Sequence, residues 1–454
     1  MGRLFGTNGI RGVVNEELTP VFVSKIGSAI GTFFGGGDIL VGRDGRTSGG
    51  MMESIILSTL ASAGCTAHAA GMAPTPALQY AVKSYGMDGG VIITASHNPP
   101  QYNGIKVITP VGIEIKRDQE LEIEEIYFEE KFKLRSWRDI GSIKPAPEVF
   151  TVYREGIKSH VDVDLIKEGG FKVVLDLGNG VGSLVIPYLL RELGCEVLTI
   201  NSNIDGFFPG RGGEPRPEKL TELSLIVRKT GADIGVAYDG DADRAIFVDE
   251  KGQIYWGDKS FALIEKAYLS EHPGEKVVTP ISSSIIVEAI AREHGGEVVW
   301  TRVGSVDVSW KMVEVGANLG GEENGGVFYG PHQPVRDGAM TTALILEIMA
   351  KSKRRLSDLM GELPVYYQSK DNAPCPHRLK EMVLRELRDR VKAERIETID
   401  GVKLWFADNS WILIRPSGTE PVYRLYAEAE TAERVSGLIG HYKKLVMETV
   451  ERLS

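Results

Sequence analysis

Three aspartates at alternate positions, Asp239, Asp241 and Asp243, followed by Arg244, are the densest set of reactive groups in the chain. Carboxylates so spaced converge on one point only when a cation offsets their repulsion, and an all-oxygen donor set suits a hard ion, Mg²⁺ or Ca²⁺. Mg²⁺ keeps coordination free for water and a phosphate oxygen, which suits phosphoryl transfer. With Glu250 as twelfth residue, the stretch 239–250 superficially fits a helix–loop–helix calcium loop. Two features oppose that fit: Arg244 stands where the calcium loop turns on glycine, and residues 234–237 and 245–248 read as strands rather than helices. The plain alternative is a solvated acidic turn, but three aspartates between buried strands are costly unless compensated.

A second loop carries a nucleophile. The apolar run 91–93 enters Thr94, Ala95, Ser96, His97 and Asn98 and is closed by Pro99 and Pro100. This places Ser96 on a stiff, exposed turn, where a hydroxyl can carry a transferable group if a base or metal activates it. His97 and Lys106 are near enough in sequence to supply protons or positive charge. Read by itself, the segment is equally a tight turn. Glu322 and Asn324, set among Gly321, Gly325 and Gly326, offer planar polar groups to sugar hydroxyls. Arg415, Ser417, Gly418 and Thr419 follow the apolar run 411–414, with Arg424 shortly after, and combine a cation, hydroxyls and a glycine-freed backbone into a phosphate cradle. The lysine of a Walker loop is absent. Arg11, in the glycine-loosened loop 5–12, offers a further clamp for a phosphoryl group.

Strands and helices must alternate to hold these loops. Runs at 39–41, 90–93, 172–175, 233–237 and 275–278 read as buried strands, and 50–64 and 183–193 carry helical patterns. The alternation predicts α/β units with parallel or mixed sheets. The polar stretch 133–147 reads as a linker, 249–253 as a turn, and 362–364 as the approach to a chemically different last part, with strands and then a helix from about Ala432. The expected domains are 1–148, 149–252, 253–364 and 365–454.

The 454 residues exceed what one core serves. Hydrophobic content of 42% and charged content of 25% are ordinary globular values. A net charge of −10 argues against nonspecific nucleic-acid binding, though not against an anionic small molecule met by a local basic pocket. No apolar run is long enough to span a bilayer, the opening residues lack a signal-peptide pattern, and three isolated cysteines fit reduced thiols; a cytoplasmic setting is expected.

The loops 6–12, 94–100, 239–244, 321–326 and 415–421, in this order, resemble those of the α-D-phosphohexomutase superfamily, and the resemblance runs from Gly6 to Arg424. It implies three related mixed α/β domains and a smaller α+β C-terminal domain around a central cleft. It implies a phosphoserine at Ser96 and one Mg²⁺ held by Asp239, Asp241, Asp243 and the Ser96 phosphate. Arg11, His97, Lys106 and Arg244 would surround the transferring phosphate. Glu322 and Asn324 would meet the sugar, and Arg415, Ser417, Gly418, Thr419 and Arg424 the other phosphate. The reaction implied interconverts a hexose or hexosamine 1-phosphate and 6-phosphate through a bound hexose 1,6-bisphosphate, which also serves as activator. Lys106, activated by cationic neighbours, is the first expected base and His97 the second. Many members end the sugar loop in Ser-Gly-His, whereas this chain has Asn324, Gly325 and Gly326; His332 is the nearest histidine to replace the one missing. This variant is similar to archaeal-type members. The opening 4–12 resembles the phosphoglucosamine mutase branch, with phosphomannomutase/phosphoglucomutase activity the alternative. A phosphosugar phosphatase and a non-catalytic phosphosugar-binding protein are the rival readings. The expected assembly is a monomer or homodimer.

Overall fold

A computed structural model describes residues 4–417 and 420–453. The expected strands appear as Asp38–Arg43, Gly89–Ile93, Lys172–Asp176, Ile234–Tyr238 and Lys276–Pro280. They are buried along nearly their whole length, as central strands covered by helices on both faces must be. The pattern at 50–64 becomes the helix Gly49–Ser62. The pattern at 183–193 does not become one helix. A 3₁₀ turn, Val181–Leu184, precedes the helix Ile186–Glu192, because Pro187 lacks an N–H and fits only in a first turn.

Three sheets share one plan. In the first, Gly89–Ile93 runs parallel to Asp38–Arg43 and then pairs antiparallel with the next strand, Tyr102–Ile108. In the second, Ile234–Tyr238 is parallel to Lys172–Asp176 and antiparallel to Ala245–Asp249. In the third, Leu319–Gly321 is parallel to Lys276–Pro280 and antiparallel to Val327–Tyr329. The Ser96, Asp239 and Glu322 loops are therefore topologically equivalent. Each is the hairpin connection leaving the carboxyl end of a parallel strand, where open α/β sheets place their ligands. The stretch 133–147 is not wholly a linker: Ile143–Pro145 adds a short exposed edge strand, parallel to Thr66–Met72.

The fourth sheet is antiparallel throughout, in the order Tyr367–Pro374, Val422–Ala429, Trp411–Pro416, Val402–Trp405, Arg395–Glu397. It is covered by the final helix, Ala432–Leu453, and by Lys380–Arg390, which sequence reading left out.

Packing divides the molecule unevenly. One apolar cluster joins the first three sheets, from Leu78 and Ala81 through Tyr153, Leu189 and Phe247 to Phe261 and Leu346. The last sheet has its own core around Leu404, Ile414, Leu425, Leu438 and Val446. A small patch of Ile281, Trp405, Trp411, Leu413 and Tyr426 spans the boundary. Inside it Lys403, fully buried, donates to the Ile281 carbonyl at 2.7 Å, with Nζ 3.8 Å from the Trp411 ring centroid. Burial pushes this lysine down to about 7. Cys65, Cys195 and Cys375 are free and buried. Among the described residues no helix is long and apolar enough to cross a membrane.

Candidate active site

The Ser96 loop is not the exposed turn expected: Ser96 is buried because Asp239 and Arg46 close around it, and the loop is held from beneath. Ser96 adopts a left-handed backbone, φ 49°, which costs a non-glycine residue about 1–2 kcal/mol. Arg46, buried beside Asp44, keeps it there. Its guanidinium donates to the carbonyls of Ser96 (2.8 Å), Asn98 (2.6 Å), Pro99 (2.8 Å) and Tyr102 (2.8 Å), and to Asp44 Oδ2 at 3.1 Å. Asp44 also accepts from Thr94 Oγ1, and Thr94 Oγ1 accepts from the Ser96 amide. The Ser96 hydroxyl thus points to Asp239 Oδ2, donating at 2.8 Å, and lies 3.2 Å from His97 Nδ1.

The aspartates converge as their spacing suggests. One oxygen each from Asp239, Asp241 and Asp243 lies within 4.8 Å of the others. Asp241 Oδ1 and Asp243 Oδ1 are buried and accept no hydrogen bond. Unpartnered buried carboxylate oxygens are expensive, and a hard divalent cation is the partner whose chemistry fits this donor set. The electrostatics agree. Burial, then Asp243 and Asp241, raises Asp239 well above the carboxylate range. Burial would also raise Asp241, but Lys106, the Thr75 hydroxyl at 2.7 Å, Arg336 and Arg11 outweigh it and hold Asp241 at about 2.

Four expected side chains gather around this point. Lys106 Nζ lies 3.3 Å from Glu114, 3.8 Å from Asp241 and 4.0 Å from Asp243; its nearest charged neighbours are carboxylates, not the cations expected. Arg244 Nε is 3.9 Å from Asp239 and 3.7 Å from Asp243. Arg11 donates to Asn98 Oδ1 at 2.6 Å, tying the 5–12 loop to the serine loop. Burial, then Arg244, Arg11, Arg336 and Arg46, lowers His97 well below the histidine range, so its ring is neutral at pH 7.

Glu322 and Asn324 take different places. Glu322 is buried and accepts from Arg336 Nη1 at 3.2 Å, while the other arm of Arg336 reaches Asp243 Oδ2 at 2.5 Å. Asn324 turns back to accept from the Gly326 amide at 3.2 Å, within its own loop. Glu323 meets Lys370 of the last sheet at 3.3 Å and accepts from Ser282 at 3.1 Å. His332 does not replace the missing histidine. It is buried between the first and third sheets, stacked on Tyr80 at 4.4 Å and 3.4 Å from Asp337, because its neighbours are aromatic.

The residues expected to form a phosphate cradle stand on the last sheet, with no direct contact to Ser96 among the described residues. Arg415 and Arg424 are cross-strand partners, and two cations directly opposite are unfavourable unless anions meet them. Arg415 pairs with Asp400 at 2.9 Å and Arg424 with Glu420 at 2.7 Å. Lys380 donates to the carbonyls of Ser417 and Glu420 at 2.5 Å each, fixing the loop ends. Gly418 and Thr419 lie outside the described residues. Asp400 also accepts from the Val303 amide, and neighbouring Ser305 accepts from Asn8, so a chain of contacts runs from the cradle to the Arg11 loop.

Sequence reading missed Asp44, Arg46, Thr75, Glu114, Arg336 and Lys380. The group at 43–47, polar and charged directly after the apolar run 39–41, carried a usable signal. Thr75, Arg336 and Lys380 carried none, since their partners are far away in sequence.

Four domain descriptions match the chain. Phosphoglucomutase/phosphomannomutase alpha/beta/alpha domain I matches residues 2–134, domain II 151–252, domain III 256–367 and the C-terminal domain 372–439. A phosphoglucomutase/phosphomannomutase of Thermococcus kodakarensis is 45% identical over 99% of this chain and 100% of its own length. A phosphoglucosamine/phosphogalactosamine mutase of Sulfurisphaera tokodaii is 46% identical over 98% and 99%. A crystal structure of a phosphoglucomutase/phosphomannomutase family protein from Burkholderia thailandensis superposes with a TM-score of 0.87 at 30% identity, covering 98% of this chain and 97% of that one.

Proposed function

The chain belongs to the phosphoglucomutase/phosphomannomutase family and is a phosphohexomutase, and from that premise we propose that it interconverts hexosamine 1-phosphate and 6-phosphate through a phosphoserine at Ser96. The observation that carries this reading is the Ser96 hydroxyl, 2.8 Å from an aspartate of a buried triplet whose other members keep two unpartnered oxygens. Asp239, Asp241 and Asp243 would hold Mg²⁺, which when bound neutralises charge on the transferring phosphoryl group.

The protein's own residues supply the rest. Arg11, Arg244 and Lys106 add positive charge around the transferring oxygens, most of what phosphoryl transfer asks of a protein. Neutral His97, against Ser96 Oγ, is placed to steady that oxygen with a hydrogen bond as it becomes the leaving group. Lys106, in its neutral form, takes the proton from the attacking sugar hydroxyl and so becomes the ammonium that adds its charge to that of Arg11 and Arg244. Glu322 and Asn324 receive the sugar, and Arg415, Ser417, Gly418, Thr419 and Arg424 grip the phosphate that is not moving, which supplies orientation. One grip serving either phosphate lets a 1,6-bisphosphate bind in both directions. The burial of Ser96 supports transfer to a bound acceptor over transfer to water, against a phosphatase.

Hexosamine is preferred because the relative named for phosphoglucosamine and phosphogalactosamine resembles the chain over nearly its whole length. The similarly close relative named for glucose and mannose phosphates supports a broader range as second reading. Coupled assays with glucosamine, glucose and mannose 1-phosphates, Mg²⁺ and a trace of hexose 1,6-bisphosphate, run beside Ser96→Ala, test both. A Ser96-dependent 6-phosphate product is expected, fastest with glucosamine. Phosphate release without any 6-phosphate sugar overturns the mutase reading.

A further inference from the structure

The aspartate loop and the 322–326 loop are joined by backbone as well as by side chain. The Ala245 amide donates to the Gly325 carbonyl at 3.1 Å, and the Gly338 amide donates to the Ala242 carbonyl at 3.3 Å. Between these two bonds lies Arg336, the last residue of the strand Gln333–Arg336. Its backbone position is fixed by Asp337, whose side chain caps the helix Gly338–Ser352. The guanidinium is 5% exposed and divides its arms between Asp243 and Glu322.

Gly326 makes room for it. A Cβ at position 326 would stand 2.4 Å from Arg336 Cδ and 2.8 Å from Cγ, so any side chain there would displace the arginine. The volume a larger residue at 326 would fill is taken by a side chain from the neighbouring strand.

We propose that Arg336 is a positioning residue that couples the two loops, restraining cation binding at the aspartates through one arm and aiming Glu322 at the sugar through the other. This rests on reading 239–243 as the metal loop and 322–326 as the sugar loop. The arm on Asp243 puts a unit charge beside the place of a divalent ion, and that repulsion exceeds the orienting value of one hydrogen bond. The arm on Glu322 opposes the burial that raises this carboxyl and holds it in one rotamer. Losing the arginine therefore moves the two affinities in opposite directions, whereas a merely structural residue would weaken both.

The test compares wild type, Arg336→Met and Arg336→Lys. Mn²⁺ binding is read by electron paramagnetic resonance without sugar, and KM for glucosamine 1-phosphate is read separately. Arg336→Met is expected to bind Mn²⁺ about tenfold more tightly while its KM rises about tenfold, the loss of one charge-assisted contact at each loop. Arg336→Lys keeps the charge but cannot span both carboxylates, so Mn²⁺ affinity stays near wild type while KM still rises. It carries the test if Arg336→Met does not fold. Mn²⁺ affinity and KM worsening together, or neither moving, overturns the coupling. If wild type binds no Mn²⁺, the metal-loop reading falls and the proposal with it; if wild type binds Mn²⁺ and only the opposed shifts are missing, the proposal alone falls.

Discussion

Replacing Arg46 tests how the nucleophile is held. Its side chain is fully buried, and its guanidinium donates to four carbonyls of the 96–102 segment and to Asp44. Arg46→Met leaves the Asp44 carboxylate buried without its ion-pair partner, a change that costs about 3–5 kcal/mol when one member of a buried pair is removed. It also removes four hydrogen bonds to carbonyls, a loss that offsets the relief of about 1–2 kcal/mol of strain at Ser96, φ 49°. Urea denaturation should therefore show a loss of about 3–5 kcal/mol. Phosphorylation of Ser96 from labelled hexose 1,6-bisphosphate should slow on the order of 10²-fold, as for a misplacement near 1 Å. Arg46→Lys retains the charge without the fork and should fall between. If Arg46→Met stays within about 1 kcal/mol of wild type and Ser96 is labelled at the wild-type rate, the clamp is not what positions the serine.

Excess Mg²⁺ should raise the melting temperature of wild type by mass action, about 2.7 kcal/mol at a hundred times the Kd, and a differential scan of Asp241→Asn should show that gain abolished. Lys106→Ala should slow single-turnover transfer from phosphorylated Ser96 to sugar by on the order of 10²–10⁴-fold; an unchanged rate would move proton removal to His97. Burial, then Glu323 and Glu428, holds folded Asp258 up to about 7, whereas an unfolded aspartate ionises near 3.9, at about 1.4 kcal/mol per unit. The folded state thus binds the extra proton in between, and stability falls as pH rises from about 4 to 7. Denaturation midpoints of Asp258→Asn should decline less over that window, by roughly 2–4 kcal/mol; an identical slope would remove Asp258 from the account.

What was legible in the chain was local. Apolar runs reported the buried strands, and the spacing of Asp239, Asp241 and Asp243 reported their convergence because all three stand on one short turn between two strands. The helix Lys380–Arg390 was not legible, since only Val383 and Leu387 of its apolar residues are buried in it and the rest of its surface is charged. Arg336 was silent for another reason: its partners stand 93 and 14 residues away, and only the fold brings them together. The same holds for Arg46, whose carbonyl acceptors lie 50 to 56 residues on. The company Lys106 keeps was misjudged, because the aspartates that reach it come from a loop more than 130 residues away.

The uneven division of the apolar cores bears on the pace of the reaction. The Ser96, Asp239 and Glu322 loops spring from sheets that share one core, so they stand on one anvil. Arg415 and Arg424, the proposed grip on the second phosphate, ride on a body joined to that anvil mainly through the Lys403 patch and a few polar bridges. Under the proposed reaction, a bisphosphate that offers each of its ends in turn to Ser96 would need that body to let go. Turnover would then be timed by a mass swinging through water, and the friction of the solvent, more than the height of a chemical barrier, would govern how quickly sugar leaves.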